Sequence, residues 1–387
     1  MSLFDNVQRE YAGPALEGEG YFSYLNRSAR PVFARIRETL EVWFSHYPAE
    51  GQSELSSRIR VNDDSAFFEL TLHEMLLGLG CQVTLHPDVP GAGEKHPDFL
   101  VHSPQCGPFY MEAILSTGES AEDASARRRM DDVYNALNNF ECPDFFIGMN
   151  LRGAPATPPS AKAMRRFLRS KLEGLDPDEL GDAMKAGGLE ALPHWPYEHD
   201  GWRIEFYPIP KGPDSRGKEG VRPVGARMYG MWGDNCKDAI RGAIAKKASR
   251  YGELDRPYII AVNVLDDFVD DSDIMQALFG TEQYTIAVGT EGIAGPPQMR
   301  RKPDGAWMDA GGPRYTRVSA VFIVERLHHW NVPKAETRLY HNPWAQRPCC
   351  CELRQMPQAI PHDGHMTLVD GMPLGDALGL LLGWPEA

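Results

Sequence analysis

Three carboxylates and a histidine in the first third of the chain have the types and spacing for metal-assisted hydrolysis. Glu69 and His73 lie four residues apart and share one face of any helix that carries them. Asp98 follows His96-Pro97 at the start of one alternating segment. Glu112 sits within another, on the same face as Tyr110 and Ile114. A loop containing Pro104 and Gly107 separates the two segments, so a hairpin would bring Asp98 beside Glu112. Carboxylates converging from a helix and two strands form the oxygen-rich set that Mg²⁺ (or Mn²⁺) prefers. Such an ion activates water and neutralises developing charge in phosphodiester hydrolysis. Each residue alone has an ordinary reading: a surface helix position, a turn carboxylate before a strand, a buried ion-pair partner. The three together, in this order, point to a site.

The elements that must position them follow from periodicity. Phe33, Ile36, Leu40, Trp43, Phe44 and Tyr47 recur at helical spacing, and Pro48 and Gly51 end that helix. A second helix spans about Ser65 to Leu79. Strands are expected at Cys81–His86, Asp98–His102 and Phe109–Ser116, then a helix from Ala121 to Phe140 with Glu119 or Ser120 near its N-terminus. The run Asp144–Leu151 reads as a buried strand. Further on, helices are expected at 161–173 and 178–186, and strands at Trp202–Ile209 and Ala226–Trp232. A helix at Cys236–Tyr251 and strands at Pro257–Leu265 and Thr316–Glu325 follow, while Gly289–Gly312 reads as a mobile loop. The fold class is α/β. An N-terminal helical cap (1–63) precedes a core (64–151), and residues 152–387 form either an α/β extension of the same sheet or a second domain.

The order helix with Glu69, strand, His96-Pro97-Asp98-Phe99, strand, Met111-Glu112-Ala113-Ile114, helix, strand resembles the PD-(D/E)XK, or restriction-endonuclease-like, nuclease superfamily. The resemblance covers about 85 residues from Phe67 to Leu151. It implies an αβββαβ core with a mixed sheet, a metal held by Asp98 and Glu112 with Glu69 completing the site, and a hydrolase acting on nucleic acid, DNA first. A role in restriction or defence against foreign DNA is implied too. The family's lysine falls two residues after the strand carboxylate, where this chain has Ile114, and isoleucine can neither move a proton nor stabilise charge. A substitute from His73, Lys95 or Arg127-Arg128-Arg129 is therefore expected. Without one, the chain is a catalytically inactive nuclease fold that binds nucleic acid or builds a complex.

Net charge is −14, which opposes a broad electrostatic grip on nucleic acid. From Ala161 to Arg250, however, 17 Lys+Arg face 13 Asp+Glu. Arg165, Arg166, Arg169, Lys246, Lys247 and Arg250 are the expected nucleic-acid contacts. The first residues carry no basic or apolar leader pattern, and no run approaches the ~18 apolar residues of a membrane span. Seven cysteines without scaffold spacing fit reduced thiols. A cytoplasmic protein is expected, as a homodimer or part of a larger defence complex, with no membrane partner. Other signals are weaker. His73-Glu74 lacks the second histidine of a zinc helix, Gly91–Lys95 lacks a phosphate loop's ending, and His362–His365 and Cys349–Cys351 lack ligand spacing. The acidic run 266–273 reads as a helix N-terminus with Asp273 in the first turn.

Overall fold

The computed structural model describes residues 1–386 apart from 62, 91–92, 94, 105, 119–120, 154–155, 158, 219–220, 230–235, 287, 290–291, 294–295, 350–351 and 363–364. In chain order, α1 (Tyr21–Arg27), α2 (Pro31–His46), α3 (Ala49–Val61) and α4 (Asp63–Gly78) lead into β1 (Gln82–Leu85), β2 (Phe99–His102) and β3 (Phe109–Ser116). Then come α5 (Ala121–Asn138), β4 (Phe145–Arg152), α6 (Ala161–Leu172), α7 (Pro177–Gly187), β5 (Trp195–His199), β6 (Trp202–Pro210) and β7 (Val224–Tyr229). After α8 (Cys236–Ala248), β8 (Tyr258–Val264) and α9 (Asp271–Phe279) stand short strands β9 (Glu282–Thr285), β10 (Val288–Gly289), β11 (Gly292–Ile293), β12 (Gln298–Arg301), β13 (Met308–Asp309) and β14 (Gly312–Pro313). The chain closes through β15 (Val318–Glu325), β16 (Glu336–His341), β17 (Gln358–His362), β18 (His365–Val369) and α10 (Leu374–Ala377).

The chain forms two compact units, one of residues 1–12, 20–118 and 235–387, the other of 13–19 and 119–234. The first is built on a mixed sheet of order β1-β2-β3-β8-β15-β16-β17-β18. The pairs β1/β2 and β2/β3 are antiparallel, while β3/β8 and β8/β15 are parallel. Every residue of β8 and β15 is buried, as expected for parallel strands covered on both faces. One face packs on the helices that precede it: Ile36, Leu40, Phe67, Leu70 and Leu76 join Phe99, Met111, Ile259 and Phe322 in one core. The other face packs on α8 and α9, where Ile240, Ile244 and Ile274 meet Tyr110, Ile260, Val262 and Val321.

The second unit carries a four-stranded sheet, β5-β6-β4-β7, covered by α5 and α6 through Met130, Val133, Leu137, Met164 and Leu168. This corrects the expected 64–151 core. The helix and strand predicted to complete it, α5 and β4, belong to the second sheet. The partner of β3 is β8, reached after residues 119–234 and the helix α8. The apolar run of β4 is as good a buried strand as β8, and local pattern does not say which sheet takes it.

Smaller differences have local causes. α2 ends at His46, just before Pro48, but Gly51 ends no helix: α3 begins at Ala49 and contains it. The stretch expected as a loop at 289–312 includes strand β12 paired with β9, with Met299 opposite Tyr284. The expected strand at Ala226–Trp232 is described as Val224–Tyr229, and residues 230–232 lie outside the described residues, as do Glu119, Ser120, Gly91, Ala92, Glu94, Cys350, Cys351, Asp363 and Gly364. The acidic run does start a helix: Asp270 caps α9 by accepting from the Asp273 N–H, and Asp273 accepts from the Asp270 N–H in return.

Candidate functional site

The register fixes the first pair. Phe99 lies opposite Met111, so the next position back places Asp98 opposite Glu112 on one sheet face. Pro97 is buried just before Asp98 and cannot donate to the ladder. At this end of the ladder the Asp98 side chain is the acceptor, its Oδ2 accepting the Ala113 N–H at 2.7 Å. Asp98 is thereby locked against the backbone that carries Glu112. Ile114 shares that face and packs into the core on the α8 side.

Glu112 is completely buried, and α8 is the element that answers it. The Lys247 ammonium and the Arg250 guanidinium both donate to Glu112 Oε1, the latter at 3.0 Å. The Tyr251 hydroxyl lies 2.5 Å from Oε2 and 2.7 Å from the His96 carbonyl, which anchors the loop before Asp98 to the same network. Burial first, and the Asp98 charge second, push the Glu112 carboxyl above the usual carboxylate range; the Lys247 contacts pull the other way. Burial likewise raises the Tyr251 phenol well above its ordinary value, so at neutral pH it is a donor.

Glu69 approaches from the helices on the other face. Its Oε1 accepts from the Tyr47 hydroxyl at 2.6 Å and its Oε2 from Arg58 of α3. Asp98 acts on this group as well, since its charge raises the titration of both Tyr47 and Arg58. Asp98 thus stands between two ion-paired carboxylates. Three acids (Glu69, Asp98, Glu112) are matched by three cations (Arg58, Lys247, Arg250), with cations entering from both faces of the sheet. Among the described residues, no three His, Cys, Asp or Glu side chains stand close enough to hold one metal ion. Asp98 and Glu112 are neighbouring oxygen donors on one face, the chemistry a hard cation takes, but Lys247, Arg250 and Tyr251 hold both Glu112 oxygens just as Arg58 and Tyr47 hold those of Glu69.

Among the described residues, neither His73 nor Lys95 forms a hydrogen bond or ion pair with Asp98 or Glu112. His73 is buried against the Tyr47 ring, 4.8 Å between centroids, and its Nδ1 has no hydrogen-bond partner among the described residues. Burial, with His46 adding to it, pushes its pKa down to about 4, so it is neutral at pH 7. Lys95 is exposed in the loop before His96. Arg127, Arg128 and Arg129 lie on α5 in the second unit. The cation beside Glu112 is Lys247, expected from sequence as a nucleic-acid contact. A signal for it was present: Ile240, Ile244, Lys247, Ala248 and Tyr251 fall on one helical face, which puts the lysine on the apolar side. Tyr251 shares that face and Tyr47 closes the helical pattern that starts at Phe33, whereas Arg58 carried no such mark.

The six expected nucleic-acid contacts divide between the units. Arg165, Arg166 and Arg169 lie on α6, with Arg169 over the Phe140 ring, while Lys246, Lys247 and Arg250 lie at the end of α8. Of these, Lys247 and Arg250 are engaged by Glu112 and Lys246 is exposed. No helix among the described residues is long and apolar enough to cross a membrane. No protein-family model, curated protein or solved structure matches the chain.

Proposed function

We propose that this chain is a metal-dependent phosphodiesterase acting on nucleic acid, with a restriction-endonuclease-like core and with Asp98, Glu112 and Lys247 as its working groups. The observation that carries this reading is the position of Lys247. It meets the buried strand carboxylate from α8, the helix packed on the sheet face that Ile114 shares, and so offers an ammonium beside Glu112 on a strand that carries isoleucine two residues further on. The order α4, β1, β2, β3, then α8 and the parallel strand β8, supports it independently. The second unit is then an insertion between the third strand and the second helix of that core.

Asp98 and Glu112 would hold Mg²⁺ or Mn²⁺, which when bound supplies a Lewis acid and a more acidic water. The chain's own residues do the rest. Tyr251 holds Glu112 in one rotamer by donating to Oε2, and through the His96 carbonyl fixes the loop that leads to Asp98. Lys247 and Arg250 on one side, and Arg58 on the other, offer cations to a phosphodiester and to the charge that grows on it during displacement. A role in restriction or defence, and assembly as a homodimer or larger complex, rest on the resemblance alone.

A second reading is favoured by one observation. Glu112 has no exposed surface and both of its oxygens already have partners, as in a structural ion pair of a fold that binds or scaffolds without cleaving. Asp98→Asn separates the two. The amide keeps the shape and can still accept from Ala113, but it lacks the charge that retains a hard cation. Wild type incubated with single- and double-stranded DNA or RNA in Mg²⁺ or Mn²⁺ is expected to cleave, and the variant to be inactive with an unchanged thermal melt. A wild type that cleaves nothing under these conditions leaves the binding role standing.

A further inference from the structure

A pocket of about 620 Å³ opens in the first unit, far along the sheet from Glu112, and the catalytic reading makes no use of it. Its walls come from α9, the β9/β12 hairpin, the turn at Pro343-Trp344 and the β17/β18 hairpin. The volume falls within the ~300–1,000 Å³ of small-molecule sites. Met275, Phe279, Trp344 and Met366 line it while packing against the core on the α8 side, and each keeps part of its surface open.

Its chemistry selects a ligand. Two aromatic rings among methionine thioethers give a polarizable lining that adapts to a flat π-system. The polar members of the lining are all potential cations: Arg301, Lys302, His362 and His365. Among the described residues no carboxylate lines the pocket, in a chain where 54 acidic residues outnumber 40 basic ones. Arg301 is occupied by Glu282 at 2.6 Å and by the Gly280 carbonyl. Lys302 is exposed, and its ammonium makes no ion pair among the described residues. The pocket therefore pairs an aromatic floor with a spare positive charge at the rim.

We propose that this pocket binds a small aromatic anion of mononucleotide size, its ring against Trp344 and Phe279 and its anionic group on Lys302. The inference does not depend on the phosphodiesterase reading. The test is titration calorimetry on the full chain with AMP, adenosine and ribose 5-phosphate as probes. AMP should bind saturably, and both fragments at least about tenfold more weakly, since each keeps only half of the recognition. Lys302→Glu, a change at an exposed position, should bring AMP down to the level of adenosine. Met299→Asp, also at an exposed position, places a carboxylate at the wall and should weaken AMP further while leaving the melt unchanged. Absence of saturable AMP binding at millimolar concentration would overturn the proposal. So would AMP affinity unchanged in Lys302→Glu, or equal binding of AMP and ribose 5-phosphate.

Discussion

Replacing Lys247 by Met removes the ammonium from Glu112 and keeps most of the side-chain volume. Glu112 is fully buried and the Lys247 side chain is only 13% exposed. Deleting one partner of a buried pair costs about 3–5 kcal/mol. Here Arg250 at 3.0 Å and the Tyr251 hydroxyl at 2.5 Å remain, so a loss of about 2 kcal/mol is expected. Its pH dependence is the sharper check. The Glu112 carboxyl is already held above its ordinary value of 4.5, and losing Lys247 removes one of the interactions that lower it. The native state then keeps a proton that the unfolded chain has released, so stability falls as pH rises between those two titrations. The deficit relative to wild type should be largest in alkaline solution and shrink as pH falls through the raised titration of Glu112 towards 4.5, so it is read at pH 8 and pH 4.5. Hydrogen exchange of the β3 and β8 amides reads this locally, and Glu112→Gln/Lys247→Met should be less destabilised at pH 8 than Lys247→Met alone. A deficit of equal size at both pH values would refute the electrostatic account, because a packing defect does not titrate.

Other outcomes follow from the same interactions. Burial pushes His73 from 6.5 down to about 4, so the folded chain resists its protonation. The stability this group leaves intact above pH 6.5 is lost as pH falls towards 4, by about 3 kcal/mol, and His73→Leu should move the acid-unfolding midpoint to lower pH. Arg58→Ala strands the buried Glu69 with only Tyr47, and because Arg58 is a third exposed the expected loss is about 2 kcal/mol. Adding Glu69→Gln should recover stability but not phosphodiester affinity, measured as binding of a short duplex without divalent ions. Reversing Arg165 and Arg166 to Glu should lower the salt dependence of nucleic-acid binding by about one log-log unit for each phosphate left unneutralised, and identical slopes would remove α6 from the interface.

The local elements were legible because they are written in nearby residues. The period-two alternation around Glu112 and the helical apolar face at 236–251 are fixed by the backbone geometry of single elements. So is the Asp270/Asp273 cap of α9, which the acidic run spells out. The neighbourhood of Asp98 and Glu112 was legible too, since a short hairpin leaves few registers and burial of one face selects among them. What lay beyond the sequence was every pairing that spans a long stretch of chain. Whether α5-β4 or α8-β8 follows β3 depends on which apolar strand is buried better between two packed faces, and both runs satisfy the same local rule. The site inherited that choice. Once β8 took the place beside β3, α8 brought Lys247, Arg250 and Tyr251 to Glu112 across more than a hundred residues. Glu69 found its partner nearby, because α3 precedes α4 and puts Arg58 on it, and a buried carboxylate takes the nearest cation. Sequence alone set which groups were available for chemistry, and the tertiary fold set which of them meet.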